Sequence, residues 1–231
     1  LRAQYERAQH HYEVAVEHLD TLRDRPAVTC DGTRIRLTAN VGLLNDLRLV
    51  DRHGAEGVGL FRTELLAIAH RGFPEEEEQE RLYERVVKHV APRPVTIRTL
   101  DLGGDKSLDL PDAPVEENPQ LGWRSTRLML SHESVFRAQL RAILRASASR
   151  NVRVLFPLIG SVEELRAAKA ILETAKRELA LRGSEFDPEV PVGGEEANVT
   201  VRTWGEQGTR EVVAVDGTTW ERRPHWEIGE A

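Results

Sequence analysis

Gly57-Val58-Gly59-Leu60-Phe61-Arg62-Thr63-Glu64 runs from a short apolar stretch into an arginine and an acid, and Val95-Thr96-Ile97-Arg98-Thr99-Leu100-Asp101 repeats the design further along. A brief apolar run bounded by turn formers reads as a strand buried on both faces. Between the two lies Pro74 followed by Glu75-Glu76-Glu77-Glu78, with Lys88 and His89 at the far end. Proline suits the first turn of a helix, carboxylates favour its positive end and cations its negative end. The acidic run is therefore read as a solvated helix start and not as a metal site. Two strands separated by a helix imply parallel pairing, because a parallel crossover needs about a dozen residues.

The alternation extends in both directions. Upstream, Arg34-Ile35-Arg36-Leu37-Thr38-Ala39-Asn40 reads as a strand, and Leu43, Leu44, Leu47 and Val50 recur at helical spacing before Gly54. Downstream, Val135, Phe136, Leu140, Ile143 and Leu144 mark a helix, and Val152 to Ile159 a strand. Ser161-Val162-Glu163-Glu164 has the form of a capping box, opening a helix that runs through Leu165, Ala168, Leu172, Ala175 and Leu179 to Gly183. Val190-Pro191-Val192-Gly193 begins a fifth strand. About four consecutive parallel β/α units fit an α/β barrel or an open doubly wound sheet.

Three regions follow. Residues 1–25 carry Tyr5, Ala8, Tyr12, Ala15, Val16, Leu19 and Leu22 at helical steps, and Asp24-Arg25-Pro26 ends that helix, as a proline disfavours helical backbone before it. Its apolar stripe packs on its own domain or links to an N-terminal partner. Residues 26–193 hold the β/α units. Residues 194–231 change character: the last leucine is Leu181 and the last lysine Lys176, whereas Trp204, Trp220 and Trp226 all fall there. Val199-Thr200-Val201 and Val212-Val213-Ala214-Val215 are β-prone, and Asp216-Gly217 is a hairpin turn into Thr218-Thr219-Trp220.

Composition narrows the class. With 40% hydrophobic and 30% charged residues, the 231-residue chain is a soluble globular protein and not a disordered one. No stretch approaches the roughly 18–20 apolar residues of a membrane span, and the polar start Leu1-Arg2-Ala3-Gln4-Tyr5-Glu6 shows no signal peptide. A single cysteine, Cys30, excludes an internal disulfide, favours a reducing compartment and reads as a small near-buried residue. A formal charge of -6 argues against general nucleic-acid binding.

In parallel β/α folds the site lies at the carboxyl ends of the strands. Arg62 and Arg98 stand at two such ends, and a planar guanidinium grips phosphate or carboxylate with paired donors. Gly103-Gly104-Asp105-Lys106 follows, where glycines let backbone amides approach an anion and Lys106 adds a point charge. Asn118-Pro119-Gln120-Leu121-Gly122-Trp123-Arg124 brings a fourth cation. Four cations after consecutive strands point to a small, highly anionic ligand.

The segment from Asn40 to about Gly193 resembles the C-terminal phosphoenolpyruvate-binding barrel of Enzyme I of the bacterial phosphotransferase system. The resemblance is carried by Ala39-Asn40-Val41-Gly42, by Gly54 to Glu64, by Arg98 to Lys106, by Glu117 to Arg124 and by Gln139-Leu140-Arg141-Ala142-Ile143-Leu144-Arg145-Ala146-Ser147. The element Arg62-Thr63-Glu64 is shared with pyruvate phosphate dikinase and phosphoenolpyruvate synthase. The resemblance implies a TIM-like barrel, here partial, and a Mg2+-dependent transfer of the phosphoryl group of phosphoenolpyruvate. The group would pass to a histidine on a separate N-terminal domain and then to a phosphocarrier protein. Arg62, Arg98, Lys106 and Arg124 would bind phosphoenolpyruvate. A cytoplasmic location and a homodimer are implied in the same way.

The match stops after the fifth strand begins. The family's metal-binding Glu-Thr-Pro-like element, its later Asn-Asp pair and its proton-donating cysteine have no counterparts here; Gly194-Glu195-Glu196-Ala197 does not match. No histidine sits in the context of the phosphohistidine domain. The Mg2+ ligands are thus expected to be absent, and the chain to be inactive alone. Three readings follow: the substrate-binding region of a phosphoenolpyruvate–protein phosphotransferase, a non-catalytic sensing or dimerisation module, or an interrupted gene product.

Overall fold

A computed structural model describes Tyr5, Gln9, His10, residues 22–103, Asn118, residues 122–195 and residues 200–201. Tyr5, Gln9 and His10 are helical; the remainder of the helix expected before residue 22 lies outside the described residues, as do Lys106, the Asp216-Gly217 turn and the tail tryptophans.

The sheet has six strands in sequential order. β3 (Ala39–Val41), β4 (Val58–Arg62), β5 (Val95–Arg98), β6 (Val152–Phe156) and β7 (Val192–Glu195) pair in parallel, and β8 (Thr200–Val201) pairs antiparallel with β7. β8 comes from the β-prone tail, so the outer side of β7 is paired within this same chain at Gly194 and Glu195. A separate two-stranded ribbon, β1 (Ala27–Val28) with β2 (Arg34–Ile35), precedes the sheet. Strand order that follows chain order, with helical crossovers, is the signature of a partial β/α barrel.

Among the described residues, six α-helices lie in the crossovers: α1 (Leu47–Arg52), α2 (Glu64–His70), α3 (Glu76–Val90), α4 (Ser125–Ser131), α5 (Glu133–Ala146) and α6 (Val162–Leu181). Helix α3 starts within the acidic run and ends at the cations, as its dipole favours. At α6, Ser161 Oγ accepts from the Glu164 amide at 3.1 Å, as the capping box predicts. The return bond lands one residue early, on the Gly160 amide at 2.7 Å.

Four expectations need correction. The strand read over 34–40 divides into β2 and β3. Glu56 explains the break: its carboxylate accepts from Arg34 at 2.9 Å and from the Leu37 amide at 3.3 Å, pulling the intervening chain off the sheet. The strand read over 152–159 stops at Phe156, because Leu158 takes a left-handed conformation with φ of 52°. Helices α2 and α4 are additional; seven residues each give too few turns for a periodic signal. Finally, Cys30 is exposed, in the tight connection between β1 and β2.

The core lies between the sheet and helices α3, α5 and α6. Tyr83, Val86, Val87 and Val90 of α3, Phe136, Leu140, Ile143 and Leu144 of α5, and Leu172, Ala175 and Leu179 of α6 are buried with Ile97, Val154 and Phe156 of the sheet. Phe136 meets Phe156 edge to face at 5.8 Å, and Phe61 meets Tyr83 likewise at 6.2 Å. At the rim, Arg141 of α5 bridges Glu76 of α3 (2.8 Å) and Glu178 of α6 (2.6 Å), binding three helices through one guanidinium. No helix among the described residues is long and apolar enough to cross a membrane.

Leu140 has no exposed surface. Leu140→Ala is expected to lower unfolding free energy by about 2–5 kcal/mol, the range for a buried leucine whose cavity only partly collapses. A urea titration checks this; a loss below about 1 kcal/mol contradicts the packing described.

Candidate functional site

β4 and β5 end on arginines that are register partners, Arg62 beside Arg98. The parallel ladder imposes this, since it sets both carboxyl ends at one rim. Their exposures differ. Arg62 is exposed, whereas Arg98 retains only 8% of its surface. Arg98 Nη2 donates to Glu64 Oε1 at 2.8 Å and lies 3.3 Å from Asp101 Oδ2. Arg124 Nη2 donates to Asp101 Oδ1 at 3.0 Å, and Ser125 Oγ donates to the same oxygen. Glu64, Arg98, Asp101 and Arg124 thus form a buried row of alternating charge. Such burial is tolerated only because each ion faces an opposite one.

Asp101 shows the balance. Burial pushes its carboxyl upward, but the Arg98 charge, the Ser125 hydrogen bond and Arg124 together outweigh burial and hold it below the usual carboxylate range.

Local backbone geometry brings Arg124 to this row. Gly103 has φ of 111°, and a Cβ there would lie 2.5 Å from Arg124 Cβ and 2.9 Å from Arg124 Cα. Only glycine allows the chain leaving β5 to touch Arg124 so closely. Ser125 holds a left-handed φ of 53°, uncommon for a residue with a side chain, and its amide donates to the Leu102 carbonyl at 2.8 Å. The strain is sustained at the position where its hydroxyl reaches Asp101.

Beneath the charged row lies a neutral one. Thr63 Oγ1 donates to the Arg98 carbonyl at 3.0 Å. Gln139 of α5 accepts from the Leu100 amide at 3.0 Å and donates to Thr63 Oγ1 at 3.3 Å and Tyr83 OH at 3.1 Å. Tyr83 OH donates to Gln79, which donates to the Pro74 carbonyl, both at 2.9 Å. Burial pushes the Tyr83 hydroxyl far upward against the Gln139 and Thr63 hydrogen bonds, so it stays a neutral link.

Of the arginines expected from sequence, Arg98 and Arg124 meet on Asp101, and Arg62 stands beside Arg98 on the neighbouring strand. Lys106 lies outside the described residues. Sequence reasoning missed Glu64 and Asp101 as the counter-charges, although each follows its strand-end arginine by two or three positions. A resident Mg2+ does not fit the described residues. Glu64 and Asp101 face arginines, and no group of three or more His, Cys, Asp or Glu among the described residues is placed to hold a metal ion.

Asp101 contributes most above its unfolded pKa of about 3.9, and that contribution disappears as pH falls through its lower folded value. Asp101→Asn is expected to cost about 3–5 kcal/mol near neutral pH, the range for removing one partner of a buried ion pair. It should also flatten the acid limb of stability against pH below about 4. Urea titrations across pH check both; an unchanged acid limb contradicts the charge row.

The family described as PEP-utilising enzyme, PEP-binding domain, matches residues 16–195. A phosphoenolpyruvate-protein phosphotransferase of Haemophilus influenzae is 47% identical over 175 residues, covering 76% of this chain and 30% of the relative. Those of Staphylococcus carnosus and Enterococcus faecalis are 41% and 43% identical, covering 83% and 75% of this chain and 33% and 31% of the relatives. The chain spans about a third of the length of the curated relatives it matches. With strands in sequential parallel order and paired arginines at their carboxyl ends, the chain belongs to the PEP-binding domain family of the PEP-utilising enzymes.

Proposed function

We propose that this chain is the phosphoenolpyruvate-binding region of a phosphoenolpyruvate–protein phosphotransferase. The observation that carries the reading is the placement of Arg62 and Arg98 as register partners at adjacent strand ends, with Arg124 joined to Arg98 through Asp101. Phosphoenolpyruvate carries a phosphate and a carboxylate on a small carbon frame, so it demands several fixed donors in a small space. Arg62 is the exposed guanidinium that meets the ligand first. Arg98 and Arg124, preset by Glu64 and Asp101, need little reorganisation to add their charge. Lys106 supplies a fourth cation from the glycine-rich segment after β5.

In this reading the barrel segment spans residues 26–193, flanked by an N-terminal linker helix and a divergent tail. The protein binds and orients phosphoenolpyruvate for transfer of its phosphoryl group toward a protein histidine. A phosphocarrier protein is the onward partner, the working form is a cytoplasmic homodimer, and Mg2+ enters through ligands other than the described carboxylates. Transfer of this kind depends mostly on positioning and charge stabilisation, which is the work this site is built for.

Calorimetric titration of the folded chain with phosphoenolpyruvate tests the reading. Weak, saturable binding is expected, with no phosphoryl transfer by the chain alone. Arg62→Ala should weaken it about ten- to hundredfold, the equivalent of one or two hydrogen bonds to a charged group. No binding by the folded chain, or an Arg62→Ala variant that binds equally well, contradicts it.

A further inference from the structure

Gln139 is fully buried on α5, within a segment that carries the family resemblance. Its amide orientation is fixed by its partners. The Leu100 amide is only a donor and must face Oε1, leaving the two Nε2 hydrogens for Thr63 and Tyr83. Thr63 stands between Arg62 and Glu64, and Leu100 between Arg98 and Asp101. One side chain therefore holds the middle of both Arg-to-acid segments. Thr63 also donates to the Arg98 carbonyl, so the backbone on both sides of Thr99 is held, at Arg98 through Thr63 and at Leu100 directly.

We propose that Gln139 is a positioning residue of the anion site: its buried amide locks the carboxyl ends of β4 and β5 together and so sets where Arg98 presents its guanidinium. Gln139 touches no ligand in this account; it acts through Thr63 and Leu100. The link continues through Tyr83 and Gln79 to the Pro74 carbonyl ahead of α3, so the strand ends are referenced to the helix layer as well as to each other. An apolar side chain of equal size would fill the space but would leave the Leu100 amide without its acceptor and the two hydroxyls without their common donor. The proposal rests on the phosphoenolpyruvate reading for its ligand, and on the hydrogen bonds alone for its geometry.

Gln139→Met keeps the volume and removes the bonds. Calorimetry with phosphoenolpyruvate should show affinity reduced about tenfold or more, since small misplacement of a gripping group costs up to a hundredfold. Leu140→Ala, its neighbour on α5, should lose stability yet keep affinity within about twofold of the parent chain. This separates positioning from general loosening. If Gln139→Met does not fold, Thr63→Val breaks the link to the Arg98 carbonyl and should give the same loss. Affinity retained by the folded variant overturns the proposal.

The Arg98 side-chain Nε–H resonance, assigned in 15N NMR spectra, supplies a readout without ligand. It should move in Gln139→Met and hold still in Leu140→Ala. If the parent chain binds no phosphoenolpyruvate, the functional reading fails; a moved Arg98 signal then still supports the positioning role, and an unmoved one overturns it.

Discussion

Asp101 faces two buried arginines, and the architecture of the site follows from keeping those charges together. Arg98 arrives at the end of β5, Arg124 at the start of α4, and their guanidinium groups meet on the two oxygens of one carboxylate. Without it, two like charges would share a poorly hydrated space. The glycine at 103, the left-handed Ser125 and the close approach of the chain to Arg124 all serve to bring these groups into contact. Glu64 closes the row from the first residue of α2, just past the end of β4.

A site assembled this way is organised before any ligand arrives. Arg98 and Arg124 are aimed by pairing and by the hydrogen bonds of Thr63 and Gln139, whereas Arg62 is exposed. In the proposed function, binding would require little ordering of Arg98 and Arg124, which suits a ligand too small to drive large rearrangements through its own contacts. The parallel sheet is the scaffold that makes this possible, because it brings successive strand ends to one rim. The helix layer, held through Arg141 and the aromatic contacts of Phe61 and Phe136, keeps the rim rigid.

Much of this was legible in the sequence, for particular reasons. β4, β5 and β6 announced themselves as brief apolar runs because parallel strands are buried on both faces. Helices α3 and α6 were visible through caps and end charges. Arg62, Arg98 and Arg124 were visible as a set and not singly: two arginines close consecutive strand runs, and a further cation follows the glycine-rich segment after the second. The break at Leu37 was not, since it depends on Glu56 reaching back across the fold. Helices α2 and α4 were too short for a period to register. Gln139 draws its value from partners 39 and 76 positions away, which no local pattern encodes. Asp101 is tied to Arg124, 23 positions away, which is hidden from local pattern in the same way.

The central claim is that the arginines at the ends of β4 and β5 hold one anionic ligand between them. Side-chain 15N NMR of the arginines during titration with phosphoenolpyruvate tests it most directly. Arg62 and Arg98 are expected to shift together and saturate at one ligand concentration, while Arg141, engaged between α3 and α6, stays in place. Shifts confined to surface arginines elsewhere, or Arg62 moving without Arg98, would contradict it.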